Sequence, residues 1–198
     1  YDQLINSELE KIVIVDDDIV DMSNINRQSY SQNNSGKKKI ECLKERYGKV
    51  KNIVSYNEKV VSESRLLDIV RCENVNFIIG AADKPSPTFI GNMIQNVSNQ
   101  CNIPYIIAGG YVSSVISMPE FYYPNEEYRY SFNKQSYEYE LLFAQITEKP
   151  SFLSLNLNAC FLVDMINSYR NGEIPFYYKK RGLLDKKTLQ WRVIENYA

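Results

Sequence analysis

Histidine is absent from all 198 residues. Every mechanism that needs an imidazole, whether Ser–His, Cys–His or a histidine-held metal, is excluded for this chain. Chemistry must run through carboxylates, Lys, Arg, Tyr or Cys, or need no general base at all. Cysteine is sparse: Cys42, Cys72, Cys101 and Cys160 are scattered, with no Cys-x-x-Cys pair. Without a secretory signal they read as free thiols of a cytoplasmic protein, not as a disulfide framework. No apolar run approaches the roughly 20 residues of a membrane helix, and no signal-peptide pattern opens the chain. Basic residues number 23 and acidic residues 24, a net charge of -1. With no global basic field, a nucleic-acid partner is not expected, and neither is a membrane. The eight glycines contain no Gly-x-Gly. The length suits one domain, 1–198, able to bury roughly 70% of its unfolded surface.

What is present begins with Ile12-Val13-Ile14-Val15-Asp16-Asp17-Asp18, an apolar run ending in three carboxylates. Before it, Tyr1 to Glu10 has a helix-like pattern with Leu4, Ile5 and Leu9 on one side. After it the periods alternate. Lys37 to Tyr47 has Ile40, Leu43 and Tyr47 at helical spacing, and Ile53 to Tyr56 is a short strand. Leu66, Leu67, Ile69 and Val70 mark a second helix, and Val75 to Gly80 reads as a buried strand. Ser86 suits an N-cap and Pro87 a first helical position, ahead of the stripe Phe89, Ile90, Met93, Ile94, Val97 and Cys101. Pro104 to Ala108 is another apolar strand, turned by Gly109-Gly110. The alternation predicts an α/β fold, Rossmann-like, with a mostly parallel sheet and helices on both faces.

From Pro119 to Pro150 the pattern changes to interleaved Tyr and Glu, which suggests a crossing loop or insertion with a short helix near 141–146. Tyr there suits either a groove for a peptide or dimer partner, or a surface loop. A helix from about Leu157 to Tyr169 follows, with Leu162, Met165, Ile166 and Tyr169 inward, ended by Asn171-Gly172. Cys160 on that apolar helix is expected to pack in the core. The tail, Phe176 to Lys179 and Thr188 to Ile194, predicts an antiparallel pair of strands.

Ligands of open α/β sheets bind outside the carboxyl ends of the strands. Asp16 to Asp18 and Asp83 fall at two such ends. Asp16 is placed to accept from ribose hydroxyls, and Asp18 or Asp83 can hold Mg²⁺ through oxygen. Arg27 and Lys39 can offset phosphate charge, one as a planar fork and one as a point charge. Asn24 can donate to a phosphate oxygen or simply cap its turn. Each residue also has an ordinary role: three Asp as a solvated turn, Gly36 to Lys39 as a solvated helix start, Asp83 as a loop residue. Their order and spacing carry more weight than any one of them.

That order resembles the superfamily of ThiF, MoeB and the ubiquitin-activating enzymes, which are ATP-dependent adenylyltransferases. The residues that carry the likeness are Asp16-Asp17-Asp18-Ile19-Val20, Ser23-Asn24-Ile25-Asn26-Arg27-Gln28, Gly36-Lys37-Lys38-Lys39 and Ala82-Asp83. Ala81 to Pro85 and Pro104 to Val112 look most like the microcin-type peptide adenylyltransferases, and Leu155 to Ile194 is similar too. The resemblance implies Asp16 on ribose, Asn24, Arg27 and Lys39 on the triphosphate, Asp83 on Mg²⁺, and Gln28 as a supporting partner. It implies ATP and Mg²⁺ as ligands, a homodimer, and attack on the ATP α-phosphate by the C-terminal carboxylate of a peptide or small carrier protein. Such a carboxylate is already ionised near neutral pH, which fits the absence of histidine. The family's first strand and glycine-rich loop are expected to be missing, and with them the first βα unit. Many members clip a zinc with two Cys-x-x-Cys pairs; with neither pair here, no zinc is expected. Two other readings stay open: a catalytically silent scaffold or partner subunit, and a dinucleotide-dependent oxidoreductase that would leave Arg27 and Lys39 without a task.

Overall fold

The computed structural model describes residues 4, 9–25, 28–82, 87–109, 111–112, 115–126, 152–175, 178, 180–185 and 187–195. Strand β1, Lys11–Val15, forms where β-branched residues run without interruption. It pairs in parallel with β2, Asn52–Tyr56, from Lys11 opposite Asn52 to Val15 opposite Tyr56. Between them lie a single helical turn α1, Met22–Ile25, and helix α2, Lys39–Tyr47. Ile40 and Leu43 of α2 pack with Ile12, Ile14 and Ile53 in one core cluster. Helix α3, Glu63–Cys72, is capped by Ser62, whose side chain accepts from the Arg65 amide at 3.3 Å. Asn74, at φ +49, turns the chain toward β3, Ile78–Gly80.

Helix α4, Pro87–Cys101, sends Ile90, Met93, Ile94 and Val97 of the predicted stripe inward at helical spacing, but Phe89 of that stripe is exposed, lying in the first turn off the buried face. It returns the chain to β4, Tyr105–Ile107, parallel to β3. Tyr105 and Ile106 are both fully buried, as a strand covered on both faces requires. A hairpin follows, β5, Tyr111–Val112, with β6, Val115–Ser117, and then β7, Glu120–Tyr122. Helix α5 spans Phe152–Arg170. The tail pairs β8, Lys180–Asp185, with β9, Gln190–Glu195.

The parallel pairs β1–β2 and β3–β4, the helices between strands and the antiparallel tail give the expected α/β fold. The strand orders are β1-β2, β3-β4-β7 and β5-β6-β8-β9, and no ladder joins β1 to β3 among the described residues. Leu4 and Leu9 pack against two of the core clusters, the one under β1–β2 and the one around α5, so these regions share apolar contacts without sharing backbone bonds.

Three further expectations need correction. The region from 119 does not open as a loop. Strand β7 pairs antiparallel to β4, Tyr122 stacks on Tyr105 with ring centroids 4.9 Å apart, and Phe121 is buried. Tyr123 lies edge-on to Phe121 and Tyr178, so these aromatics build core; 127–150, with the expected short helix and most of the Tyr–Glu stretch, lies outside the described residues. The first tail strand sits four residues later than predicted, because the turn is made by Asp185, which accepts from the amides of Lys187 and Thr188. Cys160 is exposed. It lies two positions, about 200° of helical turn, from Leu162, so the face that buries Leu162, Met165 and Ile166 turns it outward.

Candidate nucleotide site

The loop leaving β1 is stitched to the segment that opens α2. Val20 N donates to Lys37 O at 2.8 Å, Gly36 N to Val20 O at 2.9 Å, and Lys39 N to Asp18 O at 2.9 Å. Ile19 and Lys38 form an antiparallel bridge there. Gly36 takes φ +81, a left-handed conformation that glycine adopts without strain. Beneath this double loop, buried Val20, Tyr30 and Cys42 form a small apolar cluster with Ile25 packed against it. The acidic loop and the lysine-bearing loop are thereby held side by side.

Asp16 stands at the carboxyl end of β1. Its amide extends the ladder by one bond, donating to Tyr56 O at 3.2 Å, and its Oδ1 accepts the Asp18 amide at 2.7 Å. Burial pushes the Asp16 carboxyl above its ordinary pKa. The Asp18 amide and Lys39 oppose that rise, while the charges of Asp18 and Asp17 add to it. Lys39, mostly buried, places Nζ 2.5 Å from Asp18 Oδ2, and Lys38 Nζ donates to Asp17 O at 3.0 Å. Carboxylate oxygens of Asp16, Asp17 and Asp18 lie within 4.8 Å of one another. As a set of hard oxygen donors they suit Mg²⁺, which a protein typically holds through one or two carboxylates and the ligand's phosphates.

Of the two roles left open for Asn24, the cap is the one observed. Asn24 is buried and its Oδ1 accepts the Asp21 amide at 3.0 Å, opening the α1 turn. Gln28 N donates to Asn24 O at 2.7 Å, so Gln28 joins the same turn through its backbone. Arg27 and Asp83 lie outside the described residues. The structure therefore brings Asp16, Asp18 and Lys39 together, with Asn24 and Gln28 shaping the next turn. Sequence reasoning missed Lys38, which fastens the Asp17 backbone, and Tyr56, whose carbonyl fixes the Asp16 amide. The parallel pairing of the two apolar runs was the only signal that pointed to Tyr56.

Parallel strand pairs joined by helices place the chain in the doubly wound α/β class, with the Asp16 carboxylate and Lys39 at a strand's carboxyl end. The ThiF family model matches residues 1–147, and the chain belongs to the ThiF family. Among solved structures, selenomethionine PaaA superposes with a TM-score of 0.78 at 21% identity, covering 98% of this chain and 67% of PaaA. E. coli MccB with ATP gives 0.77 at 18% identity, covering 97% of this chain and 58% of MccB. MccB with AMPCPP and MccA gives 0.77 at 18% identity, covering 98% and 58%. The chain thus spans between 58% and 67% of the length of these proteins. No curated protein sequence matches it.

Proposed function

We propose that this chain carries the nucleotide site of an ATP-dependent adenylyltransferase. The reaction would activate the C-terminal carboxylate of a peptide or small carrier protein as an acyl-adenylate and release pyrophosphate. The observation that carries the reading is the half-buried Asp16 carboxylate at the end of β1 with Lys39 held across the adjoining loop. Asp16 would accept from the ribose hydroxyls. Lys39 and Arg27 would lie along the triphosphate, where fixed positive charge favours the charge that builds on phosphate oxygens as pyrophosphate leaves. Asp83 and Asp18 would hold Mg²⁺, which neutralises phosphate charge. The attacking carboxylate needs no general base, in keeping with a chain that has no histidine. Family membership and the ATP and MccA named with solved MccB support a nucleotide site and a peptide-like substrate. A cytoplasmic homodimer is part of the same proposal.

One observation favours a catalytically silent scaffold instead: the Lys39 ammonium is already neutralised by Asp18. Calorimetric titration with Mg·ATP, with NAD as control and Asp83→Ala beside it, separates the readings. ATP binding that weakens in the variant supports the adenylyltransferase. Binding of NAD in preference to ATP favours an oxidoreductase, and binding of neither leaves the scaffold.

A further inference from the structure

The segment 57–61 leaves β2 directly beside Asp16, since the Asp16 amide is bonded to Tyr56 O. It is fastened from α3. Arg65 brings Nε to 3.0 Å and Nη2 to 2.5 Å from Glu58 Oε1, and its guanidinium carbon lies 5.5 Å over the Tyr56 ring. The Tyr56 hydroxyl donates to Glu73 Oε1 at 2.6 Å, and Lys11 at the start of β1 donates to the Glu73 carbonyl and carboxylate. Glu73 caps the far end of α3, so that helix is tied at both ends to the β1–β2 pair. A lone exposed ion pair contributes little. Here one guanidinium engages a carboxylate and a ring at once, and both partners border the strand end that carries Asp16.

Asp16 is tied to Tyr56, where 57–61 begins, through its amide, and to the Lys39 loop through Asp18. A nucleotide with its ribose on Asp16 and its phosphates at Lys39 then has 57–61 to receive its base. Resting on the nucleotide reading above, we infer that Arg65 is a positioning residue for the nucleoside end of the ligand, holding 57–61 as the wall of that subsite through Glu58 and Tyr56.

The test compares wild type, Arg65→Met, Arg65→Lys and Glu58→Gln by calorimetry against Mg·ATP and against Mg·tripolyphosphate, which has phosphates but no nucleoside. Arg65→Met should weaken ATP about tenfold, the cost of re-ordering one or two side chains on binding. It should leave tripolyphosphate unchanged. Arg65→Lys, which keeps a cation near the ring, should recover part of the loss. Glu58→Gln, a milder change, should repeat the pattern without altering the thermal midpoint. Unchanged ATP affinity in Arg65→Met and Glu58→Gln, or equal losses for both ligands, would overturn the inference. A wild-type chain that binds neither ligand would sink the nucleotide reading and this inference with it.

Discussion

Lys39→Ala separates the binding role of that lysine from its structural one. In the protein alone, Lys39 makes an ion pair whose other member, Asp18, has a side chain 63% exposed. Solvent screening at Asp18 limits the pair to about 0–1 kcal/mol. For a chain of this length that is a loss of at most about 4 °C in Tm. Against a phosphate the same ammonium, only 14% exposed, makes a charge-assisted hydrogen bond in a poorly solvated position. Its loss should cost about 1.5–3 kcal/mol, or roughly 10- to 150-fold in Kd. Removing Lys39 also takes away one of the two influences that lower the Asp16 pKa, so the Asp16 carboxyl becomes harder to ionise. Thermal unfolding and calorimetry with Mg·ATP read both numbers on one preparation. Lys44→Ala is the control, since Lys44 is exposed on α2 beyond the loop that carries Lys39, and its affinity should stay within about twofold. An ATP affinity in Lys39→Ala equal to wild type would refute the assignment. A Tm fall far beyond 4 °C would show that the ion pair is structural.

Asp16→Asn should weaken Mg·ATP binding yet not destabilise the protein near neutral pH. The folded-state pKa of Asp16 is raised, so its contribution to stability is present below the unfolded value and is lost as pH rises through the folded one. Thermal midpoints from acid to neutral pH should therefore shift in favour of the variant; a variant that loses ground as pH rises contradicts the burial argument. Gly109→Ala should be far worse than Gly80→Ala. A Cβ at Gly109 would lie 1.8 Å from the Ser117 carbonyl oxygen, while one at Gly80 would meet only the movable ends of Ile94 and Ile107. Costs of about 3 kcal/mol or more against about 1 kcal/mol translate to Tm falls of roughly 6–12 °C and 2–4 °C; equal falls would show that the Gly109 turn can yield. Titration of the native protein with a thiol reagent should modify Cys72 and Cys160 quickly and Cys42 only on unfolding, and rapid modification of Cys42 would place it at the surface.

The sequence by itself determined the elements whose signals are local. The unbroken β-branched run made β1, the Ile90–Val97 spacing made α4, and the three carboxylates fell at the carboxyl end of β1. It also showed that these 198 residues offer no imidazole of their own, because composition does not depend on folding. Tertiary structure decided what depends on contacts between distant residues. Three residues from 120 to 122 are too few to show a period, and only pairing with β4 and the Tyr105–Tyr122 stack make them a strand. The outward face of Cys160 was set by which side of α5 meets the core around Ile106 and Phe121. Asp18 and Lys39 are 21 positions apart, and their 2.5 Å contact exists because the two loops bridge through Ile19 and Lys38 over a buried Val20. Residue types can be read one at a time along the chain, whereas register, face and the partner of a charge are properties of pairs that only packing brings together.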